Sequence, residues 1–111
     1  MTPENTVKSA TAWLRDESTL VSARIAYLLR DKGINTQQSI CAKVFPNEID
    51  PTGGVIITPQ GKVYQFSFNR AGMVAEKAII DEWINITPIH HQHPWRDEIL
   101  AGLAMVNKFV R

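Results

Sequence analysis

The sequence predicts an α+β fold: an N-terminal helical hairpin, a small antiparallel β-sheet of three or four strands, and a C-terminal helix packed on the sheet. Three observations predict this class. Apolar residues recur at helical spacing in the first third of the chain, two strand-like runs flank a tight turn within residues 53–68, and helical spacing returns after residue 93. The chain has 111 residues, and we expect residues 1–111 to form a single domain.

The composition argues against several classes of function. Twelve basic and eleven acidic residues give a net charge of +1, so no overall electrostatic attraction draws the chain to nucleic acid or to an anionic membrane. The single cysteine, Cys41, cannot form an internal disulfide, which is typical of a protein in the reducing cytoplasm. The first five residues lack the basic-then-apolar order of a signal peptide, and no apolar run approaches the roughly 20 residues of a spanning helix. We therefore expect a cytoplasmic protein that binds neither nucleic acid nor membrane.

The first third of the chain predicts a helical hairpin, or one bent helix broken between two apolar stripes. Thr2 and Pro3 fit an N-cap followed by proline at the first helical position, and Ser18 is a candidate cap for a second helix. Gly33 fits the left-handed position that ends a helix, and Ile34 can supply the accompanying hydrophobic contact. The apolar stripes comprise Val7, Ala10, Leu14, Val21, Ile25, Leu28 and Leu29.

A strand and a hairpin follow the helical segment. Residues 39–45 favour a strand, which Pro46 ends. Within residues 53–68, Pro59 presets φ for the second position of a turn, and Gly61 tolerates the positive φ that often follows. The residues after the turn alternate in type, which places three aromatic rings on one face of the sheet: Tyr64, Phe66 and Phe68.

The segment 73–87 fits two structures. Ala75, Ile79 and Trp83 recur at helical spacing, whereas Ile80 and Ile84 fit the alternation of a strand. We favour a strand over residues 78–86, because a further strand would shield one edge of the aromatic hairpin.

A final helix is predicted to begin at His93-Pro94. Pro94 would take the first helical position, and Asp97 and Glu98 would lie near the positive end of the helix dipole. One face of this helix would be apolar and would carry Ile99, Leu103, Val106 and Val110.

The histidine tract at residues 90–93 is a candidate metal site. His91 and His93 would lie on the same side of an extended segment, and imidazoles are good ligands for zinc, copper or nickel. However, no cysteine pair or carboxylate stands at a familiar metal spacing. A polar connector, in which His93 helps to cap the last helix, is the simpler interpretation, and we predict no cofactor.

Cys41 is a candidate nucleophile, with His91 as its base. The order of the two residues along the chain matches that of papain-like thiol enzymes. No small-residue turn surrounds the thiol, because Ile40 and Ala42 flank it. A free cysteine in this context is more often a buried small hydrophobic residue, so we favour a protein that is not an enzyme.

The opposite side of the aromatic hairpin is the predicted partner-binding surface. If the segment after it is a strand, a tryptophan shares one face with two polar neighbours, and tryptophan is enriched at interface hot spots. The loops at residues 47–54 and 88–95 adjoin this surface. The predicted contact residues are Lys62, Gln65, Ser67, Asp81, Trp83, Asn85 and Asp50.

In size and overall build the chain resembles the small bacterial immunity proteins, which neutralise a cognate toxin domain in the cytoplasm. The resemblance implies a monomer or homodimer that binds another protein, such as a toxin domain. The chain is also similar in build to the cone-like α+β fold of the nuclear-transport-factor-2-like group. In that alternative Tyr64, Phe66 and Phe68 would line a ligand pocket instead of a solid core. The third alternative is a hydrolase that uses Cys41 and a histidine.

Overall fold

The structure is a computed structural model that describes residues 2–17, 19–46, 48–49, 51–69 and 78–109, with side chains described as far as residue 106. It has the predicted α+β fold, in which two helices precede a four-stranded sheet and a third helix follows it. The elements are α1 (Pro3–Asp16), α2 (Leu20–Asp31), β1 (Ile40–Phe45), β2 (Gly53–Ile57), β3 (Val63–Asn69), β4 (Ile79–Asn85) and α3 (Arg96–Phe109).

The four strands form an antiparallel sheet in the order β1-β2-β3-β4, so each strand pairs with its neighbour in sequence. The favoured strand in the ambiguous segment is confirmed as β4, while residues 73–77 lie outside the described part of the chain. The predicted turn joins β2 to β3. Its Gly61 has a φ of 84° and donates its N–H to the Thr58 carbonyl at 2.9 Å.

Local signals in the sequence set most of the ends of the first two helices. The Thr2 hydroxyl accepts the N–H of Asn5, as an N-cap does. Helix α2 is capped by Thr19 and not by the predicted Ser18, which lies outside the described residues. Gly33 has a φ of 85°, and Ile34 donates its N–H to the Leu29 carbonyl at 3.0 Å, which completes the predicted left-handed ending.

The sheet is packed on both faces, which explains why every residue of β2 is buried. On the aromatic face, the side chains of Ile56, Phe66 and Phe68 pack with α1 and α2 in one core cluster. On the other face, Val55 and Ile57 pack with α3 in a second cluster. A strand with apolar residues on both faces reads as a continuous apolar run, as this one does.

Helix α3 begins at Arg96, so the predicted first helical position for Pro94 is wrong. Pro94 lies in a turn that precedes the helix. The Trp95 N–H donates to Nδ1 of His93 at 3.2 Å, and the Arg96 N–H donates to the His93 carbonyl at 3.1 Å. The helix therefore begins two residues later than the sequence indicates, and His93 supports its start from three residues before it. Of the predicted apolar face, Val110 lies outside the described residues.

The described helices include none that is both long enough and apolar enough to span a bilayer.

Candidate functional site

The predicted contact residues are divided between the two faces of the sheet. Trp83 pairs with Phe66 and Asn85 pairs with Tyr64, so both lie on the aromatic face. A register shift follows Ser67, and the Ser67 hydroxyl donates to the Asp81 carboxylate at 2.9 Å on the other face. The expectation that Asp81, Trp83 and Asn85 share one face is therefore wrong. An extra residue in β4 opposite β3, a β-bulge, shifts the alternation at Asp81.

One part of the sheet lies beyond the helix that covers the rest of its face. Helix α3 packs mainly against β1 and β2, and Val63 at the start of β3 is buried in the same cluster, whereas the corresponding face of the rest of β3 and of β4 extends past it. We call this surface the open face; Gln65 and Ser67 are half-buried on it, and the other members are exposed. The open face comprises Gln65, Ser67, Asp81, Glu82 and Ile84.

The open face combines an apolar centre with polar groups. Ile84 is directly opposite Gln65 and is 45% exposed, so it offers apolar area at the centre of this surface. Next to it, Ser67 is opposite Glu82, and Asp81 is held by the serine hydroxyl. An exposed apolar residue with fixed hydrogen-bonding groups and carboxylates around it is a surface that can contact a protein.

The loop before α3 contacts the open face at Gln65 and strand β1 at Phe45. Nε2 of His93 lies 3.3 Å from Oε1 of Gln65. Because Nδ1 of His93 accepts the Trp95 N–H, a neutral imidazole carries its proton on Nε2 and donates it to Gln65. The Trp95 ring stacks on Phe45 with 4.7 Å between ring centroids. The loop and the open face are therefore one continuous surface.

Trp83 belongs to the aromatic cluster on the other face. Its ring stacks on Tyr64, with centroids 4.8 Å apart and 17° between the planes, and lies 6.3 Å from the Phe66 centroid. The Lys32 ammonium is 6.0 Å from the Trp83 centroid. Trp83 is half-buried and packs against the core cluster.

The aromatic face is packed by helices. Phe66 and Phe68 are 2% and 5% exposed and share a cluster with Leu14 of α1 and Ile25 of α2. These contacts favour a solid core over the ligand pocket of the cone-like alternative. The half-buried Tyr64 packs against the same cluster.

The environment of Cys41 is that of a buried apolar residue. The side chain is 2% exposed, and burial raises the pKa of the thiol from 9.0 to about 12. The Sγ atom lies 3.6 Å from the Lys43 carbonyl. A thiol in this state is protonated at neutral pH and is not a nucleophile, so these features do not support the hydrolase alternative.

The histidines are arranged differently from the predicted extended segment. The His93 N–H donates to the His90 carbonyl at 3.0 Å, so residues 90–93 form a turn. His91 stacks on His90, with centroids 4.5 Å apart, whereas His93 is directed to Gln65. Within the described ranges, no group of three or more His, Cys, Asp or Glu side chains is arranged to hold a metal ion.

Besides Trp83 and Asn85, two further predicted contact residues lie away from the open face or outside the described chain. Lys62 is exposed at the end of the hairpin turn, where its N–H donates to the Thr58 hydroxyl at 3.1 Å. Asp50 lies outside the described residues. Sequence reasoning did not select Glu82 and Ile84. Their place on the open face follows from the register of β4 against β3, in which Ile84 is opposite Gln65 and Glu82 is opposite Ser67, and the local sequence does not show that register.

No family model matches the chain, and neither the curated proteins nor the solved structures include a significant match.

Proposed function

We propose that this chain is a small protein-binding module that holds its partner against the open face and the adjoining loop at residues 88–95. The observation that supports the proposal is the exposed side chain of Ile84, surrounded by Gln65, Ser67 and the carboxylates of Asp81 and Glu82. These groups lie on a sheet that is packed by helices elsewhere, so their positions are fixed before a partner arrives. Fixed contact groups lose little conformational entropy on binding.

The packing of the rest of the molecule supports the same function. The aromatic rings occupy a core cluster, and the thiol of Cys41 is buried and protonated. The chemistry that remains accessible on the open face is hydrogen bonding, apolar contact and negative charge. As in the immunity proteins that the chain resembles in build, the proposed partner is another protein in the cytoplasm, such as a toxin domain that the module neutralises.

A photo-crosslinking residue placed at Ile84 in the full chain tests this proposal in native lysate. The matched position is Leu20, an exposed aliphatic residue on α2, which lies in the layer across the sheet. We expect a discrete crosslinked protein from position 84 that is absent from position 20. Equal yields from both positions, or no specific product from position 84, would contradict the proposal.

A further inference from the structure

The outer strands of the sheet have backbone groups that point away from their neighbours. In an antiparallel pair, residues that bond the adjacent strand alternate with residues whose N–H and C=O point outward. The Ile86 N–H donates to the Val63 carbonyl at 2.9 Å, so Ile86 faces β3. The register of β4 then places the backbone N–H and C=O of Ile84 towards β3 as well. The backbone N–H and C=O of Trp83 and Asn85 point outward, away from β3.

The edge of β1 is closed by helix α1. The Cys41 N–H donates to Oγ1 of Thr11 at 2.9 Å, and the Thr11 hydroxyl lies 3.2 Å from the Cys41 carbonyl oxygen. Nη2 of Arg15 donates to the Ser39 carbonyl at 3.0 Å. Side chains of the helix thus occupy the positions that another strand would need.

In the described part of the chain, the side chain that reaches the edge of β4 does so just before its first residue. The Arg24 guanidinium donates from Nε and Nη2 to the Ala78 carbonyl, at 3.1 and 2.9 Å. Among the described residues, no hydrogen bond reaches the outward backbone groups of Trp83 or Asn85, and the sheet has no strand beyond β4. An uncovered edge of this kind can accept an added strand.

We propose that an extended, basic segment of the protein partner pairs with β4 and becomes a fifth strand of the sheet. The inference rests on the proposed function, because it specifies which part of the partner the chain recognises. Hydrogen bonds to the backbone of Trp83 and Asn85 supply the pairing, and side chains on the two faces of the added strand supply selectivity.

Charge determines which segment fits. Asp81 and Glu82 are exposed within β4, and the sequence from Ile79 to Trp95 contains no lysine or arginine. Lysine or arginine side chains of an added strand would lie beside these carboxylates, and opposite charges on neighbouring strands attract. A second copy of this chain would instead bring the carboxylates of both copies into one seam, so like charges oppose self-pairing.

The two faces of β4 also determine which types of side chain alternate along the added segment. On the open face, a β-branched or aliphatic side chain fits beside Ile84, next to the basic residues that meet the carboxylates. On the aromatic face, the half-buried Trp83, which stacks on Tyr64, can contact an apolar side chain. The matching segment therefore mixes lysine or arginine with β-branched residues and contains no acidic residue.

The test is a titration of the full chain with a short capped peptide in which lysine alternates with valine, followed by backbone amide NMR. A matched peptide carries glutamate in place of lysine. We expect the lysine peptide to shift the amide signals of β4 until they saturate. The glutamate peptide should bind at least about tenfold more weakly, because its contacts with the Asp81 and Glu82 carboxylates become repulsive.

Substitutions at the edge of β4 distinguish strand addition from non-specific electrostatic attraction of the peptide. Asn85→Pro removes an outward N–H that the pairing with β3 does not use, and proline is tolerated at such edge positions. We expect it to abolish binding of the lysine peptide, whereas Asn85→Ala retains it. The pair Asp81→Asn and Glu82→Gln, which leaves the backbone unchanged, should weaken binding about tenfold. The matched neutralisation of Asp97 and Glu98 on α3 should not.

Three results would overturn the inference: equal affinity for the two peptides, binding unaffected by Asn85→Pro, or β4 shifts that depend on protein concentration without peptide, which would indicate a second copy. The proposed function fails separately, when position 84 captures no partner. A partner that is captured at position 84 equally well by the Asn85→Pro chain would leave the proposed function in place and exclude strand addition.

Discussion

The thiol of Cys41 and the imidazole of His93 differ because one is buried and the other forms hydrogen bonds near the surface. Cys41 looks like a candidate nucleophile in the sequence, yet it lies in the core cluster between the sheet and the first two helices. Burial raises the pKa of the thiol to about 12, with a smaller opposing effect from a backbone hydrogen bond of Lys43. His93, in contrast, is used for its hydrogen bonds, because it connects the start of α3 to Gln65 on the open face.

The buried thiol predicts a loss of stability in alkali. Its folded pKa is raised above the unfolded value of 9.0, so its contribution is fully present below pH 9 and is lost as the pH rises towards 12. Above pH 9 the free energy of unfolding of the natural chain should fall more steeply than that of Cys41→Ala, by up to about 1.4 kcal/mol per pH unit. Denaturant titrations at several pH values measure the difference. Parallel pH profiles for the two chains would contradict the predicted burial of the thiol.

At the scale of elements, sequence patterns identified most of the secondary structure because its causes are local. The turn at Pro59 and Gly61 and the left-handed ending at Gly33 depend on residues within a few positions of one another. The segment before α3 contacts other strands, through His93 to Gln65 and through Trp95 to Phe45, and the bulge at Asp81 depends on the pairing with β3. The candidate surface was therefore only partly predictable: Gln65 and Ser67 were placed correctly opposite the aromatic rings, whereas the bulge separated Asp81 from Trp83.

The closure of the β1 edge by α1 gives a prediction for Thr11. Thr11→Val keeps the shape of the side chain but leaves the outward N–H and C=O of Cys41 without partners in a buried site. We expect a loss of about 1–3 kcal/mol in the free energy of unfolding, measured by denaturant titration. Thr11→Ser retains the hydroxyl and should lose clearly less. Equal losses in the two variants would show that the methyl group, and not the hydrogen bonds, matters at this position.

At the scale of the whole molecule, the two core clusters account for the exposed and buried surfaces. Helices α1 and α2 cover the aromatic face, and α3 covers the part of the opposite face formed by β1 and β2. Helix α3 packs there, and beyond Val63 it leaves that face of β3 and β4 open. Among the described residues, the same arrangement closes the edge of β1 and leaves the outward backbone groups of Trp83 and Asn85 in β4 without a hydrogen bond. The proposed partner therefore meets a surface that the packing of the helices defines.

The most direct test of the central claim measures the affinity of the captured partner for two variants of this chain, each with one aliphatic residue replaced by aspartate. Ile84→Asp places a charge at the centre of the open face, and Leu20→Asp places one on a more exposed aliphatic position of α2, where an acidic residue suits the helix start. Calorimetric titration should show Ile84→Asp weakening binding by at least about tenfold, or about 1.4 kcal/mol, and Leu20→Asp leaving it within about twofold. Unchanged affinity for Ile84→Asp, with both chains folded, would contradict the open face as the contact surface.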